Sequence, residues 1–394
     1  MKSTISQFAT VPDVLQRSVS LSRASYRRLG NSGLRVSNPI LGGAHLGSSR
    51  WLPWALEEDQ ALSLLKAAYD RGINTWDTAN AYSNGESERV MGKALKEYNI
   101  PRSKVVLMTK CFRVVCDPEH YDPGAAVIMH HDIADTSKDY VNQWGLSRAA
   151  IFNAVEASLE RLDTTYIDLL QIHRFDPTVS PEETMCALHD LVKAGKVRYI
   201  GASSMWAHQF AILQHTAEKY GWTKFISMQN HYNLLYREEE REMNPFCNLT
   251  GVGLIPVRQA LPGSSALTLK LPVLTDAIVQ WAPLAGGRLA RQQGQTPTTI
   301  RTAHTKMGGF YEQEEDPGSS KIVSRAAEIA ERRGWPVSHV SLAWLNRRAV
   351  APVIGFSSPE RMDEALDALG KELTAEEEEY LEELYLPRSV QGHS

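Results

Sequence analysis

Four side chains in this 394-residue chain stand where they could move a proton. Asp77 closes the apolar run "INTWD", and Tyr82 follows just ahead of the turn-forming Ser83, Asn84 and Gly85. Lys110 closes "KVVLMTK", and His173 closes "YIDLLQIH". A free phenol, with a pKa of about 10, is a poor acid at neutral pH. A lysine ammonium beside it favours the phenolate and lowers that pKa. An aspartate paired with the lysine keeps it charged and oriented, and a neutral histidine can donate a hydrogen bond to a substrate oxygen. Together they would make a general acid facing a carbonyl. Each alone has a plainer reading: a strand-end cap, a packed loop aromatic, a solvated cation, a satisfied half-buried histidine. The set says more than its members, because four strand-end positions would have to agree by accident.

Something must bring these positions to one place. Apolar strand-like runs fall at 38–43, 73–79, 104–110, 166–174, 197–203, 225–232, 251–257 and 351–356. Helical periodicity follows at 57–72, 85–98, 147–162, 181–195, 206–221, 237–247, 319–334, 337–348 and 359–369. Ser147 is a natural N-cap and Pro181 a natural first-turn residue. Strands alternating with helices predict a parallel sheet, and eight units predict a (β/α)8 TIM barrel. An open dinucleotide-binding sheet is the alternative, but no G-x-G-x-x-G follows any strand. In a barrel the active site lies at the C-terminal strand ends, where Ser203-Ser204 and Gln229-Asn230 also stand.

The run 26–37 reads as a hairpin turning at Asn31-Ser32-Gly33. Residues 1–25, rich in Ser and Arg, read as a disordered tail, with a mitochondrial transit peptide as the alternative. The barrel is expected over 26–370, and an acidic helix and tail over 371–394.

A net charge of −4 gives no footprint for nucleic acid, and no apolar run reaches the ~20 residues of a membrane span. Four cysteines without a C-x-x-C pair suit a reducing, cytoplasmic setting. His130-His131-Asp132 suggests a metal-dependent hydrolase, yet lacks partners at ligand spacing, so a polar loop and no metal are expected. The loops 44–56, 111–146 and 290–318 would choose the substrate. Their aromatics Trp51, Trp54, Phe112 and Trp144 either wall the site or pack locally.

The stretches "WDTANAYSNGESERVMGKAL", "LMTK", "LLQIHRFDP", "GKVRYIGASS" and "MQNHYNLLYRE" resemble the aldo-keto reductases, from about Tyr26 to Leu369. The likeness is nearest to the fungal aryl-alcohol-dehydrogenase-like reductases, some of which serve secondary metabolism. It implies NADPH-dependent reduction of an aldehyde or ketone, aromatic or polyketide-like, to an alcohol. Carried over by motif, Asp77, Tyr82, Lys110 and His173 form the catalytic tetrad, with Tyr82 the proton donor. Asp77 also borders the cofactor, and Ser203, Ser204 and Gln229 would bind its carboxamide. Trp281 would stack on the nicotinamide ring, and Pro283, Leu284, Gly286 and Arg288 would also bind the cofactor. Ser357, Ser358 and Arg361 would grip the adenosine 2′-phosphate of NADP(H), and Gly355 would also bind the cofactor. Two departures from the family pattern are Ser204, usually Asn, and Ala365, often Asn. The same resemblance admits a second class, a cofactor-binding regulatory subunit of an ion channel.

The family usually runs unbroken from Ile-Pro through an aromatic residue to Pro-Leu-Ala. Here Pro256 and Trp281 are separated by residues 257–280. This segment is either an extra loop, since closure cost grows slowly with length, or a translated, unspliced intron. The residues Val257 and Gln280 at its ends are compatible with intron boundary bases. If translated, it is expected to impair cofactor binding.

Overall fold

Strands rich in Val, Ile and Leu must be covered on both faces, and this chain covers them by closing the sheet into a ring. The computed structural model describes residues 11–125, 127–256, 284–290 and 317–393. In chain order these form α1 (Asp13–Leu21), β1 (Ser25–Arg28), β2 (Arg35–Asn38), β3 (Ile40–Gly42), α2 (Glu58–Asp70), β4 (Thr75–Asp77) and α3 (Glu86–Glu97). They continue with β5 (Val106–Cys111), α4 (His131–Ala134), α5 (Arg148–Leu162), β6 (Ile167–Ile172), α6 (Pro181–Lys193), β7 (Val197–Ser203) and α7 (Ala207–Tyr220). Then come β8 (Ser227–Asn230), α8 (Met243–Thr250), β9 (Gly253–Pro256), α9 (Pro317–Arg333), α10 (Val337–Arg348), β10 (Val353–Ile354), α11 (Pro359–Leu366) and α12 (Ala375–Glu382).

The eight strands β3 to β10 form one parallel sheet in the order β10-β3-β4-β5-β6-β7-β8-β9. At the seam between β9 and β10, the Val350 N–H donates to the Leu254 carbonyl at 3.0 Å. The result is a nearly closed (β/α)8 barrel, as the alternation predicts. Ser147 caps α5 by accepting from the Ala150 N–H, and Pro181 opens α6 behind the Ser180 cap.

The β1–β2 hairpin plugs the N-terminal end. Leu29 and Val36 pack there with Ile40, Met108, Leu169, Ile255 and Val353. Its turn lies close against the loop before β9: Asn31 N–H donates to Gly251 O at 2.8 Å. At Gly30, with φ 58°, an added Cβ would come within 2.4 Å of that same carbonyl, so only glycine fits.

Within the expected tail the chain forms one helix. Asp13–Leu21 is helical yet buries none of its residues, and its apolar side chains Val14, Leu15, Val19 and Leu21 are exposed. The expected helix at 237–247 is a short 3-10 turn, Glu238–Glu240, followed by α8. Loop 44–56 is tied by a bridge between Leu46 and Leu56, with Trp51 and Leu52 buried beneath it. The segment 257–280, Trp281 and Pro283 lie outside the described residues.

Candidate active site

The pleat delivers the site. Side chains two apart on a strand share a face, so inward positions climb each strand in steps of two. β4 ends in Asp77, β5 carries Lys110 as its second-last residue, and His173 follows β6, its N–H continuing the ladder to Cys111 O at 2.9 Å. Tyr82 sits on the short helix after β4, ahead of Ser83 and Asn84, which both hold positive φ.

Lys110 Nζ donates to Asp77 Oδ2 at 2.6 Å, to the Thr78 carbonyl at 2.8 Å and to the Tyr82 hydroxyl at 3.4 Å. Asp77, Tyr82 and Lys110 are each 1% exposed. Burial pulls the Lys110 ammonium below its ordinary pKa, and the charge and hydrogen bond of Asp77 oppose that pull. The His173 ring stands edge-on to Tyr82, with centroids 5.9 Å apart. Trp51 approaches Tyr82 at 6.4 Å. Phe112 and Trp144 pack edge to face at 6.0 Å, and Trp54 packs in the cluster holding Trp51 and Tyr82.

Asp77 Oδ1 accepts from Gln171 Nε2 at 2.9 Å and from Gln229 Nε2 at 3.0 Å. The aspartate is therefore held on both oxygens. Gln229 thus has a contact that the motif reading did not give it. Gln171 was missed altogether, although "QIH" puts it two residues before His173 on the same face. Behind β5, buried Glu88 bonds Thr109 and pairs with Arg161 at 2.7 Å. Cys111, next to Lys110, is buried, and its thiol is pushed up to about 12 by desolvation.

Around the rim, Ser203 Oγ donates to Gln229 O at 2.8 Å and lies 3.1 Å from Ser204 Oγ. Gly355 and Phe356 follow β10, where His45 Nε2 contacts Phe356 O at 2.6 Å. His45 is another residue the sequence did not single out. Ser357 and Ser358 line a cavity of about 430 Å³ with Leu56, Asp59, Gln60, Ser63, Leu64 and Pro359. Arg361 lies one turn into α11 and pairs with Glu364 at 2.7 Å. Leu284 precedes the short helix Ala285–Ala290 that carries Gly286 and Arg288 and packs against α9 and α10. The structure thus joins Asp77, Tyr82, Lys110, His173, Gln229, Ser203 and Ser204 in one contact network, while Arg361 keeps a partner on its own helix.

Among the described residues, one group has metal-ligand spacing, Asp117, Glu119 and His120 on the loop after β5. None of the described helices is long and apolar enough to cross a membrane.

The family model described as the aldo/keto reductase family matches residues 40–268 and 276–386, breaking only inside the 257–280 segment. An aldo-keto reductase of Fusarium vanettenii is 63% identical over 393 residues, covering 100% of both chains. A putative aryl-alcohol dehydrogenase of Schizosaccharomyces pombe is 46% identical over 378 residues, 95% of this chain and 99% of its own. The versiconal hemiacetal acetate reductase of Aspergillus parasiticus is 43% identical over 366 residues, 93% of this chain and 98% of its own.

Proposed function

The chain belongs to the aldo-keto reductase family and is an oxidoreductase of carbonyl compounds, and from that premise we propose that it is NADPH-dependent, with Tyr82 as the proton donor. The observation that carries this reading is the buried contact of Lys110 Nζ with both Tyr82 and Asp77. When bound, the nicotinamide supplies a hydride to the carbonyl carbon. Tyr82 gives its hydroxyl proton to the carbonyl oxygen. Lys110 stabilises the phenolate left behind, and Asp77 balances the lysine in a site where water would otherwise do so. His173 donates a second hydrogen bond to the same oxygen and orients it.

The chain's own donors suit such a cofactor at both ends. Ser203, Ser204 and Gln229 offer hydroxyls and an amide for a carboxamide. Ser357, Ser358, the first turn of α11 and Arg361 offer an anion site beside the cavity. To take up a phosphate, Arg361 exchanges Glu364 for it. Arg361→Ala is expected to weaken NADPH binding about tenfold and NADH binding little, read by cofactor fluorescence titration.

Trp51 beside Tyr82 supports an aromatic or polyketide-like substrate, in keeping with what the aryl-alcohol and versiconal relatives are named for. We place the activity in fungal secondary metabolism, in the cytoplasm. An NADPH-oxidation screen over aromatic aldehydes and polyketide-like ketones tests the reading. Tyr82→Phe is expected to lower kcat about 10²–10⁴-fold with cofactor affinity retained. Unchanged turnover would remove Tyr82 as the acid. Sequencing of reverse-transcribed message separates the two readings of 257–280: retained codons mean a loop, removed codons an intron.

A further inference from the structure

Behind Ser203 and Ser204 runs a one-way chain of hydrogen bonds that the reductase chemistry leaves unused. Ser204 holds φ 47°, a left-handed conformation that a serine keeps only when its surroundings impose it. Its N–H donates to Asn230 Oδ1 at 3.0 Å and to Gln229 O at 3.2 Å. Asn230 can accept there only with its amide oxygen turned toward Ser204. On its other side Asn230 Nδ2 donates to Glu239 Oε2 at 2.8 Å. A carboxylate only accepts, so Glu239 selects the NH2 side of Asn230 and fixes which way the amide faces. The second oxygen of Glu239, Oε1, takes a hydrogen bond from His393 Nε2 at 2.8 Å. Both side chains are buried, at 1% and 6% exposure. His393 also stands edge-on to Trp206, centroids 4.9 Å apart, two residues beyond Ser204.

The tail after α12 is led to this place by neighbouring contacts. Glu238 accepts from the Tyr385 hydroxyl at 2.6 Å and from the Arg388 N–H at 2.7 Å. The Gln391 N–H donates to the Tyr236 hydroxyl at 2.8 Å.

We propose that Glu239 and His393 are positioning residues for cofactor binding. The tail histidine holds Glu239, Glu239 orients Asn230, and Asn230 keeps the Ser203–Ser204 corner in the shape that grips the carboxamide. This rests on the reading of Ser203 and Ser204 as cofactor-binding residues. Neither Glu239 nor His393 touches a reacting atom, so their loss loosens cofactor binding and leaves proton transfer alone.

In the full-length chain, His393→Ala is expected to raise the NADPH Kd about five- to tenfold, with kcat at saturating NADPH within about twofold of wild type. It is also expected to speed amide exchange over residues 203–206 in the cofactor-free protein. His393→Gln, which keeps an N–H donor for Glu239, is expected to restore most of both. Asn230→Asp, which sets a carboxylate against Glu239, is expected to do at least as much damage as His393→Ala, with urea melts separating local from global loosening. Wild-type Kd and wild-type exchange in His393→Ala would overturn the proposal. If the wild-type protein binds neither NADPH nor NADH, the cofactor reading fails, and exchange over 203–206 alone then decides whether the tail positions Ser204.

Discussion

The two ends of this barrel are made by the same strands and filled with opposite things. On β5, Met108 belongs to the apolar layer under the hairpin, and Lys110, two residues on, bonds Asp77 and Tyr82. On β6, Leu169 lies in that layer, and Gln171, two residues on, bonds Asp77. A single inward step of the pleat separates a layer held by packing from a layer held by charge and hydrogen bonds. The lower layer tolerates any well-fitting apolar shape, whereas the upper one depends on each partner being present.

The sharpest way to break this contrast is to extend the apolar layer upward by one step. Lys110→Met leaves Asp77 a buried carboxylate without its cation. It is expected to abolish turnover and to cost about 3–5 kcal/mol of stability, read by urea unfolding alongside the NADPH assay. A stable, inactive Lys110→Met protein would show that the rim charge serves chemistry only. Below the step, Leu169→Ala is expected to cost about 2–5 kcal/mol while the folded fraction keeps its kcat and KM. A fall in kcat there would mean that the layers are mechanically coupled.

A third and smaller test sharpens the polar side. His231 is fully buried, stacks on Tyr236 at 4.0 Å, and accepts from Asn233 Nδ2 on its Nε2. Its pKa is pushed down to about 3, first by burial and then by the charges of Arg388 and His393. The unfolded chain therefore binds the proton more readily than the folded one. Stability from this residue is complete above the ordinary histidine value of about 6.5 and falls as pH drops toward about 3. Between pH 7 and 5 the expected loss is about 2 kcal/mol, and His231→Asn is expected to flatten that slope in pH-dependent urea melts.

The barrel was legible because strands buried on both faces are mostly apolar, and ionisable residues gather at their ends. Asp77, Lys110 and His173 announce themselves in that way. Tyr82 needs the family motif, since a loop tyrosine carries no periodic signal. What stayed hidden was set by partners distant in sequence. Nothing local links His393 to Glu239, or Gln171 and Gln229 to Asp77, because polar contacts between strands and tail leave no repeat to read. Arg361 has a partner on its own helix in Glu364, three residues on, an i,i+3 pairing that the sequence contains.

One neighbour of the buried lysine has a practical meaning. Cys111 stands on the opposite face of β5 from Lys110, packed into the outer apolar core as an un-ionised thiol, and Cys247 is likewise pushed up to about 12. Sulfur in that state neither attacks disulfides nor reacts readily with peroxide. Thiol-modifying reagents are therefore expected to reach the half-buried Cys186 before Cys111 or Cys247.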